Sequence, residues 1–352
     1  MRIIVLGNNY TEGFAVHISQ NLLAMGHKVI QFDPEFKGYF YNNIFNNYAG
    51  RFIKNAAVKV PFFRKFMFNR LQYLISNFQP ELIIVCYDFL WPKEVSIIKK
   101  ICSVKIVLWY PDSIANFGSA YFMTAPYDFL FFKDQYIVQK LRNFLKHSIH
   151  YLPECFNPIA YYSNSNKTKD REIEYSCDIT TAGNFHSWRV SIFNELLDFD
   201  IKLWGNPPPV WMDSSLLLER HQNKCVYNED KVAAFQGAKI VVNTLHYSEI
   251  MGVNARCFEI AGSKAFQFCN YSPVIKDFFV EGKEIILYHN LVDLKEKIKY
   301  WLPRQNERSD ISNAAYDRAI REHTYENRLG ILISTVFSSG NGFPMNSDGM
   351  LY

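Results

Sequence analysis

The sequence predicts an α/β protein with two doubly wound parallel-sheet domains. A chain of 352 residues is long enough for two cores of ~150–180 residues each. Of its residues, 49% are hydrophobic and 20% are charged, so there is ample apolar surface to bury. Short apolar runs alternate with segments of helical period, and this alternation restarts after a polar stretch at 163–171.

The first half of the chain opens with a β-α-β unit. An apolar run at 3–6 ends at Gly7, a polar loop follows at 8–13, and an amphipathic helix is predicted at 14–25. Further strands are predicted at 29–33, 82–85, 106–109, 129–132 and 150–152, with a helix at 92–101. We expect these elements to form an N-terminal domain over 1–165.

The second half repeats the pattern after the polar stretch, which has the composition of a linker. Strands are predicted at 177–181, 201–204, 239–243, 265–268 and 284–287, and helices at 188–197, 254–261, 291–301 and 307–322. The second domain is therefore expected to span 172–325. A last apolar helix is predicted at 326–337, followed by a flexible tail at 338–352 that is rich in Ser, Gly, Asn and Pro.

Composition limits the classes of partner and the cellular location. The net charge of +4 suits an anionic partner such as a phosphorylated metabolite, but it is too small for a typical nucleic-acid-binding protein. The seven cysteines include no C-x-x-C pair, which favours reduced thiols and no metal site. No apolar run reaches the ~18 residues of a membrane span or resembles a signal peptide. We expect a cytoplasmic protein.

One stretch is both cationic and aromatic. Between Phe36 and Pro80 there are seven Lys or Arg residues and no Asp or Glu, with aromatic residues interleaved. Such a composition, densest at 51–70, suits the inner face of an anionic membrane or a lipid-linked acceptor. The alternative is a helix whose aromatic residues face the core of the first domain and whose Lys and Arg side chains are solvated. The sequence leaves both interpretations open.

The strongest candidate for ligand binding lies at 241–262. A predicted strand ends near Asn243 and His246, and Asn254, Arg256 and Glu259 follow at the start of a helix. A helix N-terminus offers free N–H groups and a positive dipole end, which suit a diphosphate. Arg256 can contact phosphate through two N–H groups, and Glu259 can accept hydrogen bonds from ribose hydroxyls. Alternatively, Glu259 only pairs with Arg256.

A second candidate is the turn after the strand at 177–181. Gly183 lets the backbone approach a ligand, Asn184 follows it, and Arg189 lies in the next helix. Gly205 ends the next strand in a similar way. Taken alone, such turns are often only turns.

Three motifs in the second half carry a resemblance to a known family. Residues Gly252, Asn254, Arg256, Phe258 and Glu259 follow a G-x-N-x-R-x-F-E pattern, 279–285 contains a glycine before a strand, and 323–328 reads H-T-Y-x-x-R. In these features the chain resembles the CgeB-like, spore-maturation-type glycosyltransferases, with a C-terminal domain like that of the group 1 glycosyl transferases. The resemblance implies the GT-B fold, in which two Rossmann-like domains face each other across a cleft and the C-terminal helix crosses back to the first domain.

The resemblance also implies a function. It implies a nucleoside-diphosphate sugar donor held mainly by the second domain, no cofactor and no obligatory metal. The enzyme would be a hexosyl- or deoxyhexosyl-transferase, and its acceptor, bound by the first domain, would be a glycan, such as a cell-surface polysaccharide, a lipid-linked sugar or a protein. The departing diphosphate would be stabilised by Arg189, Arg256 and helix N–H groups.

Carboxylates in the first domain are candidates for the catalytic base that an inverting enzyme needs. Loops converge at the carboxyl ends of parallel strands, so Glu12, Asp88 and Asp112 are expected at one edge of the first sheet. Of these, we select Glu12 and Asp112. Alternatively, Glu12 is a helix-start carboxylate and Asp112 a turn or cap residue. A retaining enzyme would need neither.

Two other functions are compatible with two β-α-β domains. A dinucleotide-dependent oxidoreductase is disfavoured because the loop at 7–13 lacks the G-x-G-x-x-G pattern. A non-catalytic coat-assembly protein that binds a nucleotide sugar without turning it over is the main alternative, because retaining Arg256 and Glu259 favours binding but does not establish turnover.

Overall fold

The computed structural model describes residues 1–34, 60–161, 174–209, 211–212, 215–338 and 343–345. The chain forms two units, one of Met1–Pro153 with Arg328–Tyr352 and one of Glu154–Asn327. The predicted linker at 163–171 lies outside the described residues, as does the part of the cationic stretch at 51–59.

The first unit is built on a six-stranded sheet in which every pairing is parallel. Its strands are β1 (Arg2–Leu6), β2 (Lys28–Phe32), β3 (Leu82–Cys86), β4 (Lys105–Tyr110), β5 (Phe129–Phe132) and β6 (Ser148–Tyr151). Strand β3 is buried at every position and β1 and β4 at all but the first, as expected when helices cover both faces of a parallel sheet. The helices in this part are α1 (Phe14–Ala24), α2 (Pro61–Phe78), α3 (Pro92–Ile101) and α4 (Gln135–Arg142).

The second unit has a five-stranded parallel sheet. Its strands are β7 (Cys177–Ala182), β8 (Ile201–Trp204), β9 (Ala238–Asn243), β10 (Gln267–Asn270) and β11 (Ile286–Tyr288). Its helices are α5 (Ser187–Asn194), α6 (Ser215–Leu218), α7 (Asn228–Gly237), α8 (Ala255–Gly262), α9 (Leu291–Trp301) and α10 (Gln305–Glu322). Strands β10 and β11 each begin two residues later than the sequence predicts.

The segment at 154–161 belongs to the second unit, although the predicted domain boundary assigned it to the first. Phe156 pairs with Thr324 in a parallel bridge, and its backbone N–H donates to the His323 carbonyl at 3.1 Å. Its ring lies so close to Gly262 that a Cβ there would be 2.8 Å from Phe156 Cγ. These contacts of Phe156 explain why the boundary between the two units follows Pro153.

The last helix, α11 (Tyr325–Phe337), joins the first unit from Arg328 onward. Arg328 is fully buried, and its Nε donates to the Pro153 carbonyl at 3.2 Å. Its guanidinium carbon lies 4.4 Å from the centre of the Phe343 ring. Phe343 also donates its backbone N–H to the Tyr151 carbonyl at 3.2 Å, so this residue of the predicted flexible tail is held by the first unit.

Apart from the additional edge strand β6 of the first sheet, the two sheets have the same strand order. This order indicates the edge of each sheet at which ligands of such folds bind. The first sheet reads β2-β1-β3-β4-β5-β6 and the second β8-β7-β9-β10-β11. In each, the direction of strand addition reverses once, between β1 and β3 and between β7 and β9. Ligands of open parallel sheets bind beyond the carboxyl ends of the strands at this reversal. Separately, none of the helices in the described ranges is long and apolar enough to cross a membrane.

Candidate functional site

Two glycines bring the ends of β7 and β8 together. Gly183 and Gly205 have φ angles of +125° and +131°, which residues with a side chain rarely adopt. A Cβ on Gly205 would lie 2.7 Å from the carbonyl carbon of Gly183, and Gly183 donates its N–H to the Trp204 carbonyl at 2.9 Å. Both glycines were predicted as places where backbone approaches a ligand, and the structure shows that they first allow close approach to each other.

Two arginine side chains converge on Gly183. A Cβ there would lie 3.4 Å from Arg189 Nη1 and would collide with Arg256 Nη2. Arg189 lies on α5 and Arg256 on α8, so the helices that follow the two strands at the reversal each supply one cation. Arg189 is 4% exposed; its Nε donates to Thr244 Oγ1 at 3.0 Å and its Nη1 donates to the Asn184 carbonyl.

The two guanidinium groups make this edge strongly electropositive. Burial lowers the pKa of Arg189 well below its ordinary value, and the charge of Arg256 lowers it further. Burial also lowers the pKa of Arg256, against the opposing effect of the Glu259 charge. Within the described part of the chain, no carboxylate lies within 4.0 Å of either guanidinium. An anion bound between them would relieve this repulsion and accept several charge-assisted hydrogen bonds.

A histidine pair borders the arginines. The rings of His186 and His246 meet edge to face with their centres 4.9 Å apart. Burial lowers the pKa of His186 to about 4, assisted by the charges of Arg189, His246 and Arg256. His186 Nδ1 is buried and accepts no hydrogen bond from the described residues. His246 Nδ1 accepts from the Ser248 backbone N–H at 3.2 Å, so Nε2 carries the proton in the neutral ring.

Asn243 and Asn254 form a reciprocal amide pair. Each Nδ2 donates to the other's Oδ1 at 3.0 Å, and Asn243 is completely buried. Asn254 also caps α8, because its Oδ1 accepts from the Cys257 N–H at 3.2 Å. Asn243 thus fixes the loop between β9 and α8 to the end of β9, and its contact with the nucleotide stays a prediction. Asn184, by contrast, is exposed, and its Oδ1 accepts from Asn206 Nδ2 at 2.8 Å.

Glu259 belongs to a network that the sequence does not reveal. Its Oε1 accepts from the Tyr161 hydroxyl at 2.9 Å and its Oε2 from Lys231 Nζ at 3.3 Å. Lys231 Nζ also lies 3.1 Å from the Tyr161 hydroxyl oxygen. Glu259 thus forms an ion pair with Lys231 on α7, and its charge also favours the charged form of Arg256.

The two candidate bases of the first unit have different surroundings. Glu12 lies in the loop between β1 and α1 with a left-handed φ of 61°. It is not in the first turn of α1, which contains no acidic residue and has Gly13 as its N-cap. Asp112 Oδ1 accepts from the Ser113 backbone N–H at 2.9 Å, as the turn interpretation requires.

Asp88 has the most unusual environment of the carboxylates at this edge, although the sequence did not single it out. It follows β3, on the other side of the reversal from the loop of Glu12. Its Oδ2 accepts from the Tyr121 N–H, and its Oδ1 is buried without a partner among the described residues. Burial raises the pKa of Asp88 to about 6, against the lowering effect of backbone hydrogen bonds and of Arg64. The preceding Tyr87 has a left-handed φ of 67°, a strained conformation for a bulky residue.

The described ranges contain no group of three or more His, Cys, Asp or Glu side chains that could hold a metal ion.

A known protein family matches part of the second half of the chain. Residues 188–334 match a family described as glycosyl transferase-like. The spore protein CgeB of Bacillus subtilis (strain 168) is 24% identical over 195 residues, which cover 51% of this chain and 58% of that protein. The chain thus spans little more than half the length of this relative.

Similar solved structures cover nearly the whole chain. Sucrose-phosphate synthase from Thermosynechococcus elongatus matches 97% of this chain and 100% of its own, with a TM-score of 0.68 and 10% identity. HepE of Anabaena in complex with UDP-glucose matches 96% and 100%, with a TM-score of 0.64 and 13% identity. The α,α-trehalose 6-phosphate synthase of Burkholderia multivorans matches 96% of each chain, with a TM-score of 0.63 and 12% identity.

These matches confirm the predicted fold class and the predicted resemblance. Identities of 10–13% to the solved structures show the fold alone. Residues 188–334 match the glycosyl transferase-like family, about half of the chain resembles the spore protein CgeB, and the chain as a whole has the GT-B fold.

Proposed function

We propose that this protein is a glycosyltransferase that takes its sugar from a nucleoside-diphosphate donor, with the diphosphate bound between Arg189 and Arg256. The observation that carries the proposal is the convergence of these two cations on Gly183 without a carboxylate partner in the described ranges. Like charges held together in a folded protein favour an anion as their natural partner. The N-terminus of α8 adds backbone N–H groups at the same edge.

This arrangement supports a transfer that needs no metal. As the bond between the sugar's anomeric carbon and the diphosphate oxygen breaks, negative charge develops on the diphosphate. Two guanidinium groups supply planar N–H donors for that charge, which is the role that a divalent cation would otherwise have. His186 lies close enough to both arginines for their charges to lower its pKa, and the His246 ring contacts it. We assign His246 Nε2–H to a hydroxyl of the sugar.

We place the acceptor in the first unit, beyond the ends of β1 and β3. The backbone is strained at Glu12 and Tyr87, and the pKa of the Asp88 carboxyl in the same region is raised. If the reaction inverts the sugar, one of the carboxylates accepts the proton of the acceptor hydroxyl. The acceptor classes that we propose are a glycan, a lipid-linked sugar or a protein.

The donor is best sought first among uridine nucleotides, because the structure of HepE was determined with UDP-glucose. Calorimetric titration would measure the affinity for UDP, GDP, CMP and dTDP and for their common sugars. The native protein would be compared with Arg256→Met and with Arg321→Met, a control on the exposed surface of α10. Selective binding of one nucleotide that is lost only in Arg256→Met supports the proposal, and no binding of any nucleotide contradicts it.

Turnover is tested separately by following donor hydrolysis with and without a chelator. Hydrolysis that survives the chelator supports a metal-independent glycosyltransferase. Tight donor binding with no hydrolysis and no transfer to any acceptor would instead support the non-catalytic, coat-assembly alternative.

A further inference from the structure

Helix α2 has two opposite apolar faces, and the described residues of the unit cover only one of them. Met67, Leu71 and Ile75 are at most 9% exposed and attach the helix to the first unit. Four aromatic side chains, which we call the aromatic face, lie largely on the other side. They are Phe62, Phe63, Phe66 and Tyr73, with exposed fractions of 74%, 47%, 49% and 74%. With 3.6 residues per turn, Phe62, Phe66 and Tyr73 fall on one line along the helix.

The exposure of these rings removes one of the two interpretations that the sequence allowed. Had the aromatic residues formed the core side of the helix, they would be buried and the Lys and Arg residues alone would face solvent. The structure instead uses aliphatic side chains for the core. Contiguous exposed aromatic surface on a folded protein marks an interaction site.

The charges around the aromatic face indicate the kind of partner. Lys65 and Arg70 are exposed, and α2 contains no acidic residue. Arg64, the remaining cation of the helix, serves attachment: its Nε donates to Glu94 Oε1 at 2.9 Å and its guanidinium carbon lies 3.9 Å from the centre of the Trp91 ring. In sequence, the absence of Asp and Glu extends from Phe36 to Pro80. The partner should therefore be anionic as well as apolar.

We propose that the aromatic face of α2 docks on an anionic lipid bilayer. Aromatic rings favour the boundary between headgroups and acyl chains, and Lys65 and Arg70 would contact the lipid phosphates. Because only one side of the helix is free of the unit, α2 would lie in the plane of the membrane surface. A second copy of the chain is a poorer partner, since it would bring the same basic side chains together.

Docking has a consequence that rests on the proposed function. It would hold the first unit, where we place the acceptor, at the surface that carries lipid-linked sugars. The docking itself does not depend on catalysis and is testable without it.

Vesicle co-sedimentation tests the proposal directly. The full-length protein would be mixed with phosphatidylcholine vesicles, with or without phosphatidylglycerol, and compared with Phe62→Ser/Phe66→Ser and with Lys65→Gln/Arg70→Gln. The matched control is Phe144→Ser, which removes a ring of the same unit that is 85% exposed but lies outside α2. We expect binding only to the anionic vesicles. Loss of two basic side chains should weaken it roughly tenfold or more, as should added salt.

Two outcomes would overturn the proposal. One is equal or absent binding to both kinds of vesicle, with each variant shown to be folded by its unfolding temperature. The other is a concentration-dependent dimer that Phe62→Ser/Phe66→Ser abolishes, which would assign the aromatic face to a second copy. Donor affinity measured on the same samples separates this result from the proposed function, because the α2 variants should bind the nucleotide as the native protein does.

Discussion

Arg189 and Arg256 approach the same glycine from two different helices, and a side chain at Gly183 would occupy the space that their guanidinium groups share. Burial and the charge of Arg256 both lower the pKa of Arg189. An arrangement that is unfavourable in the empty protein is stabilised when an anion binds. The geometry is thus better suited to a ligand than to the stability of the fold.

The first prediction concerns the balance between binding and stability at Arg256. Arg256→Met should weaken UDP binding by about 1.5–3 kcal/mol, because hydrogen bonds from a charged donor to phosphate are lost. The free energy of unfolding of the empty protein should stay unchanged or rise, since a buried like-charge repulsion disappears. Titration calorimetry and chemical denaturation measure the two quantities. A variant that loses stability but keeps its affinity for UDP would contradict the assignment.

Gly183→Ala should separate the effect of backbone strain from that of steric contact. Both Gly183 and Gly282 have positive φ angles, but a Cβ on Gly282 would meet nothing within 4 Å. Gly282→Ala should lose about 1 kcal/mol of stability from backbone strain alone, and Gly183→Ala should lose more, because its φ of +125° lies farther from the left-handed helical region than the +76° of Gly282. Only Gly183→Ala should also displace Arg256 and weaken nucleotide binding. Equal affinities in the two variants would show that Arg256 does not need its place beside Gly183.

The network around Glu259 predicts a difference between two ligands. If Glu259 accepts hydrogen bonds from ribose hydroxyls, Glu259→Gln should weaken the binding of UDP by about 1–3 kcal/mol and leave the binding of inorganic pyrophosphate unchanged. Tyr161→Phe is the control, because it removes one donor to the carboxylate while Lys231 remains. Equal losses for both ligands would instead mean that Glu259 acts on the diphosphate through Arg256.

The sequence was informative about local geometry. It located Gly183 and Gly205 at strand ends and Arg256 at a helix start, and the structure has them at these places. Contacts between distant segments could not be predicted in the same way. Tyr161 and Glu259 are 98 residues apart in sequence. The position of Glu259 three residues after Arg256 gave no indication of its contacts with Tyr161 and Lys231.

The same limit applies to burial. An asparagine at a strand end has the same sequence signature whether it faces a ligand or a second asparagine, and Asn243 has the second arrangement. The raised pKa of Asp88 depends on side chains packed around it from other elements, which a strand-end pattern does not specify.

His186 predicts a pH dependence of stability and of ligand binding. Because its pKa falls from 6.5 to about 4 on folding, the unfolded chain binds more protons between these values, and stability should decrease as the pH falls from about 6.5 to 4. The full shift corresponds to at most about 3 kcal/mol, and partial exposure of the ring reduces the expected loss to about 1–2 kcal/mol. His186→Asn should flatten this slope in denaturation curves.

Diphosphate binding should reverse part of the shift, since an anion between the arginines offsets the charges that disfavour protonated His186. Calorimetry near pH 5 in buffers of different ionisation enthalpy should then show proton uptake on UDP binding. The absence of uptake in the native protein, or its persistence in His186→Asn, would exclude His186 as the group that responds.

Asp88 predicts a pH dependence of stability of the opposite sign. Its pKa rises from 3.8 to about 6 on folding, so the folded protein binds more protons between these values and stability should decrease as the pH rises through this range. Asp88→Asn keeps an oxygen that can accept from the Tyr121 N–H and removes the buried charge. We expect it to be more stable than the native protein at pH 7 by about 1–2 kcal/mol, less than the full shift because Asp88 is partly exposed.

The same residue distinguishes an acceptor-activating carboxylate from a structural one. If Asp88 is the base of an inverting transfer, kcat/KM should rise as the pH increases through about 6, the pKa of its carboxyl. Asp88→Asn should then lower kcat by roughly 10²–10⁴-fold while leaving UDP affinity unchanged.

Glu12→Gln and Asp112→Asn are matched controls at the same edge of the sheet. A large loss of kcat in Glu12→Gln alone would move the assignment to the loop after β1, where the left-handed backbone of Glu12 already marks an unusual position. Full activity in all three variants would leave a retaining mechanism, in which the donor's own leaving group can accept the proton of the acceptor hydroxyl.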